Sequence, residues 1–177
     1  LLSSVAKSGR LDETFADLVL RSLLQHGSFL ADDRFYVSDS NHALEMDASL
    51  MVLAAALRNL PQASSWEATA SERLRRWLQA NFSALGTHLE QSPGYHLFVS
   101  VRLLSIVSYL RENRLPVPIE LERAADRGLA IWPYLRRPDG SAPMIGDTPR
   151  NPRPVDYQSI VERLVNHPPR SVAPESR

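Results

Sequence analysis

Glu90-Gln91-Ser92-Pro93-Gly94-Tyr95-His96 runs without a break into Leu97-Phe98-Val99-Ser100-Val101-Arg102-Leu103-Leu104-Ser105-Ile106-Val107. Serine followed by proline is the pattern of a helix N-cap and a first helical position. The residues after it are apolar with no polar face, so the helix they form is surrounded by protein. Tyr95 and His96 fall in its first turn, where unpaired N–H groups and the helix dipole favour negative charge. The rest of the chain is organised around this helix and the tyrosine at its start.

Working outward, helices of two kinds alternate. A segment from about residue 11 to 30 is apolar on one side only, at Leu11, Phe15, Leu18, Val19 and Leu23. From about 41 to 60 the chain is apolar nearly all round, through Ala43, Leu44, Leu50, Met51 and the Ala54-Ala55-Ala56-Leu57 run. The next, about 66 to 85, is one-sided again, with Leu74, Trp77, Leu78 and Phe82 set against Glu72, Arg73, Arg75 and Arg76, and Gly86 placed as its C-cap. The helix opened by Ser92 is the second buried one, and a one-sided helix from Pro118 to Ile131 follows, with Pro133 ending it. The three arginines at 73, 75 and 76 read as the solvated face of an outer helix.

Outer, inner, outer, inner, outer, with short joins, predicts antiparallel neighbours in two layers. The expected fold class is all-α, an incomplete (α/α) toroid of alternating inner and outer helices; a solenoid of helical pairs gives the same alternation. In either, the inner helices start at the same end, which predicts that Asn41-His42 and Tyr95-His96 approach each other.

Composition narrows the function. The 177 residues carry twenty basic and twenty acidic side chains, so no overall field points to nucleic acid or membrane. Cysteine is absent, which removes disulfides and thiol chemistry. No apolar run is long enough to span a bilayer and no secretory signal is visible, while a start at Leu1 is read as a mature or trimmed terminus. Eleven of the thirteen prolines lie from Pro116 onward. Residues 1–147 are expected to form the helical domain, and 148–177 a proline-rich segment with one short helix near 155–165 and a disordered tail.

The polar residues at the inner-helix starts are an amide, imidazoles and a phenol. Asn41 can hydrogen-bond a carboxylate, His42 can take a proton, and Tyr95 can give one. His88 and Glu90 lie in the join before Tyr95, and Asp139-Gly140 through Gly146-Asp147 is expected to return to the same rim. The same residues admit plain structural readings: a cap with a solvated histidine at 41–42, a packed phenol at 95, and loop or capping groups at 88, 90 and 96. Five histidines without His-x-x-x-His spacing argue against a metal site within the chain.

Three stretches taken in order resemble the heparinase II/III-type polysaccharide lyases, including the oligoalginate and heparan sulfate lyases. Gly86-Thr87-His88-Leu89-Glu90-Gln91-Ser92-Pro93-Gly94-Tyr95-His96 is similar to the segment that carries the family's catalytic tyrosine. Ser40-Asn41-His42-Ala43-Leu44-Glu45 is similar to its earlier Asn-His segment, and Asp139 through Asp147 to a further family stretch. The resemblance implies a central fragment of an (α/α) toroid lyase that cleaves uronate-containing polysaccharide by β-elimination. By position, Asn41 neutralises the carboxylate, His42 serves as base or tunes the tyrosine, and Tyr95 protonates the leaving oxygen. His88, Glu90 and His96 fall to substrate-binding or supporting roles. The family's C-terminal β-sandwich and its metal site have no counterpart, so no cofactor is expected here and the fragment is expected to be inactive alone. The implied partners are an acidic polysaccharide and the remainder of the parent polypeptide, with no nucleic acid and no membrane. The implied location is periplasmic or secreted. Two other readings stay open: a glycoside hydrolase on a similar barrel, with Glu90 and Asp147 as its carboxyl pair, and a non-catalytic helical carbohydrate-binding or scaffold module.

Overall fold

The structure, a computed structural model, describes residues 12–148, and these are helical with no strand beyond one isolated bridge. The chain is all-α, as its pattern implies. It divides into two compact units, Leu1–Leu74 and Arg75–Arg177, with the division inside a helix. The expected boundary at 147/148 lies at the end of the described residues, and the short helix expected near 155–165 lies outside them.

In the first unit, α1 spans Glu13–Ala31 and is capped by Asp12, whose carboxylate accepts from the Thr14 N–H at 2.9 Å. A 3₁₀ turn, Asp33–Phe35, leads to α2, Asn41–Ala56. The next helix, α3, is Ala63–Asn81, and its first part belongs to this unit. The contrast between one-sided and all-round helices appears as burial. α1 buries Gly27 alone, whereas α2 buries Ala43, Leu44, Asp47, Ala48, Leu50, Met51 and Ala54.

Two contacts set how α1 meets α3. Gly27 has no side chain because the Trp66 ring occupies the space: a Cβ there would sit 2.3 Å from the indole. Arg73 reaches back to the end of α1, donating to the carbonyls of Leu30 at 2.7 Å and Ala31 at 2.9 Å. A guanidinium on the last carbonyls satisfies orphan acceptors and opposes the negative end of the dipole. Arg73 is buried, so the expectation of a wholly solvated arginine face fails at this position. The carbonyls that desolvate it come from 42 and 43 residues away.

The second unit contains the end of α3, then α4 over Pro93–Glu112, α5 over Ile119–Ile131 and a 3₁₀ turn at Trp132–Leu135. α4 buries eleven residues from Pro93 to Leu110 on every side. α5 buries Leu121, Ala125 and Gly128 along one face. Gly128 lies against Ser100 of α4, where a Cβ would stand 2.4 Å from the serine Oγ, so the two backbones approach closely. Arg111 and Glu122 pair across the same two helices.

α3 stops at Asn81, not at 85, and Gly86 is not its C-cap. The chain turns instead: Ser83 donates to the Thr87 carbonyl at 2.9 Å, Phe82 bridges His88, and Gly86 adopts φ +90° inside the turn. A Cβ at Gly86 would press within 2.6 Å of the Arg127 side chain. Local helical periodicity ran on through Phe82, but this closure claims its backbone.

Candidate functional site

The start of α4 is built by its neighbours. Ser92 is the N-cap with extended backbone, and Pro93 is the first helical residue, as the local sequence specifies. Pro93 has no N–H to satisfy. The Gly94 N–H donates to the Thr148 hydroxyl at 2.9 Å, the Tyr95 N–H to the Ser92 hydroxyl at 3.4 Å, and the His96 N–H to the Ser92 carbonyl at 2.8 Å. The Thr148 hydroxyl in turn donates to the Ile145 carbonyl at 2.8 Å, which leaves its lone pairs for Gly94 and for Ser92 at 3.1 Å. The segment after Asp139 thus returns to the start of α4, through a threonine one residue beyond the stretch read from sequence. Inside that segment, Asp139 accepts from both the N–H and hydroxyl of Ser141. These bonds hold its carboxyl below the usual range.

Tyr95 is half-buried and lies edge-on to Phe98, ring centroids 6.3 Å apart. The amides of its turn are already occupied. His96, beside it, is 2 % exposed and spends both ring nitrogens on backbone. Its Nδ1 accepts from the His88 N–H at 3.1 Å and its Nε2 lies 2.8 Å from the Gly128 carbonyl oxygen. Burial lowers the His96 pKa, although the bond to Gly128 acts the other way.

His88 is also buried, stacked on Trp77 at 5.9 Å and edge-on to Phe82 at 5.4 Å. Neither of its ring nitrogens has a hydrogen-bond partner. Burial, with His96 beside it, pulls its pKa down to about 4. The Glu90 carboxylate lies 3.8 Å from His88 Nδ1, beyond hydrogen-bond reach. Glu90 itself is exposed, as is Asp147. The structure therefore brings His88, Glu90, Tyr95 and His96 together around the start of α4.

Asn41 and His42 belong to the first unit, where they form the first two residues of α2. Asn41 is half-buried and His42 is exposed. Ser40 precedes them in extended backbone and turns its hydroxyl to the Val37 carbonyl at 3.1 Å instead of capping the helix.

One turn and a half further on lies a group that sequence reasoning passed over. Asp47 is fully buried, and its Oδ2 accepts from the Tyr36 hydroxyl at 2.8 Å while Oδ1 has no partner. The Arg73 guanidinium lies over the Tyr36 ring, 4.2 Å from its centroid. Burial pushes the Asp47 carboxyl up to about 7, against the pull of Tyr36 and Arg73. An acidic residue amid Met46, Ala48 and Leu50 was the available signal. Among the described residues, no three His, Asp or Glu side chains are grouped to hold a metal ion. No described helix is long and apolar enough to cross a membrane.

A family model described as Heparinase II/III N-terminus matches residues 2–172. Two solved structures share the fold: heparan sulfate lyase HepC from Pedobacter heparinus, at a TM-score of 0.69, and a mutant of the same enzyme, at 0.71. Each is 20% identical in sequence, and the match covers 86% of this chain and 24% of that one. The chain thus spans about a quarter of the length of the lyases it matches. No curated protein sequence matches it.

Proposed function

The chain belongs to the heparinase II/III N-terminus family, and from that premise we propose that it forms helices of a polysaccharide lyase acting on uronate-containing chains. The observation that carries the reading is the family match over residues 2–172, within which Tyr95 lies in the first turn of α4.

β-Elimination removes the proton on the carbon next to the uronate carboxylate and breaks the bond from the adjacent carbon to the glycosidic oxygen. The electron pair of the C–H bond becomes the new carbon–carbon double bond, and the oxygen leaves with the pair of the broken C–O bond. In this proposal the Asn41 amide hydrogen-bonds the carboxylate, so that charge building up there is stabilised. His42 takes the carbon-bound proton. Tyr95 delivers a proton to the departing oxygen and regains one from solvent, while His42 releases to solvent the proton it took. Such groups, positioned for proton transfer, typically contribute factors of about 10² to 10⁴ each. Glu90, exposed beside His88, is assigned to the substrate side of the join. His88 and His96 are assigned to holding it. The substrate is an acidic polysaccharide, and we place the reaction in the periplasm or outside the cell.

The test is ultraviolet absorbance of an unsaturated product when the intact polypeptide carrying these residues meets heparan sulfate, alginate or hyaluronan. Tyr95→Phe should abolish turnover with substrate binding largely kept. A saturated product would identify a hydrolase instead, and unchanged turnover in Tyr95→Phe would remove the proposed acid.

A further inference from the structure

We infer that His96 is a positioning residue for Tyr95: a neutral imidazole, locked in one tautomer, that fixes the first turn of α4 against the preceding join and against α5. The inference rests on the reading of Tyr95 as the proton donor.

The geometry leaves one assignment of the ring proton. Gly128 presents a carbonyl oxygen, which can only accept, so Nε2 must carry hydrogen. His88 presents a backbone N–H, which can only donate, so Nδ1 must offer its lone pair. Both contacts demand the same neutral tautomer. A second proton on Nδ1 would set two N–H groups head to head, and a swapped tautomer would break both bonds.

The surroundings work in the same direction. The join contributes His88, buried, and the Glu90 carboxylate, exposed and 3.8 Å from the His88 ring. α3 and the residue after it contribute Trp77, stacked on His88, and Phe82, with its centroid 6.5 Å from His96. On α5, Gly128 is flanked by Arg127, exposed, which reaches the Ala84 carbonyl at 3.4 Å. Among these groups no carboxylate hydrogen-bonds the His96 ring, and burial disfavours its charged form.

The consequence for Tyr95 is rotational. Neighbouring residues on a helix point about 100° apart. Pinning the His96 ring at both ends therefore fixes the direction in which the Tyr95 side chain leaves α4. Thr148 fixes the other side of the turn through Gly94. Proton transfer to a leaving oxygen loses rate steeply when the donor is misplaced by an ångström, so a loosened turn should appear in kcat before KM.

Long-range nitrogen–proton NMR on the labelled chain reads the tautomer directly. His96 should show a protonated Nε2 and an unprotonated Nδ1 from pH 8 down to 6. A ring proton on Nδ1, or a titration midpoint in the ordinary histidine range, would overturn the inference. His96→Phe keeps volume and loses both bonds, whereas His96→Gln keeps an amide able to reach Gly128. In the intact polypeptide, His96→Phe should lower kcat at least tenfold with KM unchanged, and His96→Gln should recover part of that loss. A raised KM with normal kcat would show a substrate contact instead and overturn the positioning role. The Tyr95 ring resonances should shift in His96→Phe even if no polysaccharide is turned over. Unmoved resonances with normal turnover would sink this inference alone, while absent turnover in the unmodified protein would sink the lyase reading alone. Should His96→Phe not fold, the tautomer and the His96→Gln kinetics decide.

Discussion

The Thr148 hydroxyl accepts a hydrogen bond from the Gly94 N–H at 2.9 Å, although 54 positions separate the two residues. A helix start is ordinarily capped by the residue just before it. Here Ser92 serves Tyr95, and a threonine from a distant loop serves Gly94. Thr148 is buried, so water cannot replace it freely. Thr148→Val keeps the shape and removes the hydroxyl, leaving the Gly94 N–H and the Ile145 carbonyl short of a partner. We expect a loss of about 1–3 kcal/mol in chemical denaturation. Thr148→Ser should recover most of it, and a Val variant as stable as the original would refute the remote cap.

What the sequence disclosed about this site, and what it did not, divides by range. Ser92-Pro93 specified the start of α4 because an N-cap and a first-position proline act on the four residues that follow. The all-round burial of α2 and α4 followed from composition for a similar reason, since a helix without a polar face has nowhere to meet water. Arg73 misled because its carbonyl partners on α1 lie 42 and 43 residues back, and no local pattern distinguishes a buried guanidinium from a solvated one. His96 is legible as a neighbour of Tyr95, but its backbone partner on α5 is not, since Gly128 lies 32 residues later. The periodicity carries α3 about one turn too far, to 85 with Gly86 as C-cap, because it says nothing about the Phe82–His88 closure that ends the helix at Asn81.

Gly27 makes a sharp test of packing in the first unit. Alanine raises helix propensity by about 1 kcal/mol over glycine. At this position, however, its methyl would lie 2.3 to 2.6 Å from three atoms of the rigid Trp66 ring. Overpacking of this kind costs about 1–3 kcal/mol. Gly27→Ala should therefore lower the unfolding free energy on balance, and Gly27→Ala with Trp66→Leu should lose less than the two single changes added together. A stabilised Gly27→Ala protein would show that Trp66 moves aside readily.

Asp47 should give the first unit a stability that declines with rising pH. Its carboxyl stands at about 7 in the fold against 3.8 for a free side chain, so the folded state binds the extra proton between those values. Stability from this group is complete below about 4 and is lost as pH rises through 7, at no more than about 1.4 kcal/mol per pH unit. Asp47→Asn keeps an oxygen for the Tyr36 hydroxyl and carries no charge. Its advantage over the original protein should widen between pH 5 and 8 in denaturant titrations. A constant difference across that range would mean that Asp47 is ionised throughout.

His88 should impose the opposite slope on the second unit. Its pKa falls from 6.5 to about 4 on folding because the ring is buried, so the unfolded state binds the extra proton between those values. Stability from this group is complete above 6.5 and is lost as pH falls toward 4, again at no more than about 1.4 kcal/mol per pH unit. Both ring nitrogens lack partners, and a buried polar atom in that condition costs about 1–3 kcal/mol. His88→Phe removes the proton-binding group and the unmet nitrogens while keeping a ring on Trp77, and the backbone N–H that serves His96 is untouched. The variant should equal or exceed the original in stability at pH 7 and flatten the acid loss. Amide exchange of α4 and α5, compared at pH 5 and 7 after correction for intrinsic rates, reports this unit separately from Asp47. A His88→Phe protein that is less stable at pH 7 would show that the His88 nitrogens do have partners, and an unchanged acid slope would move the titration to another group.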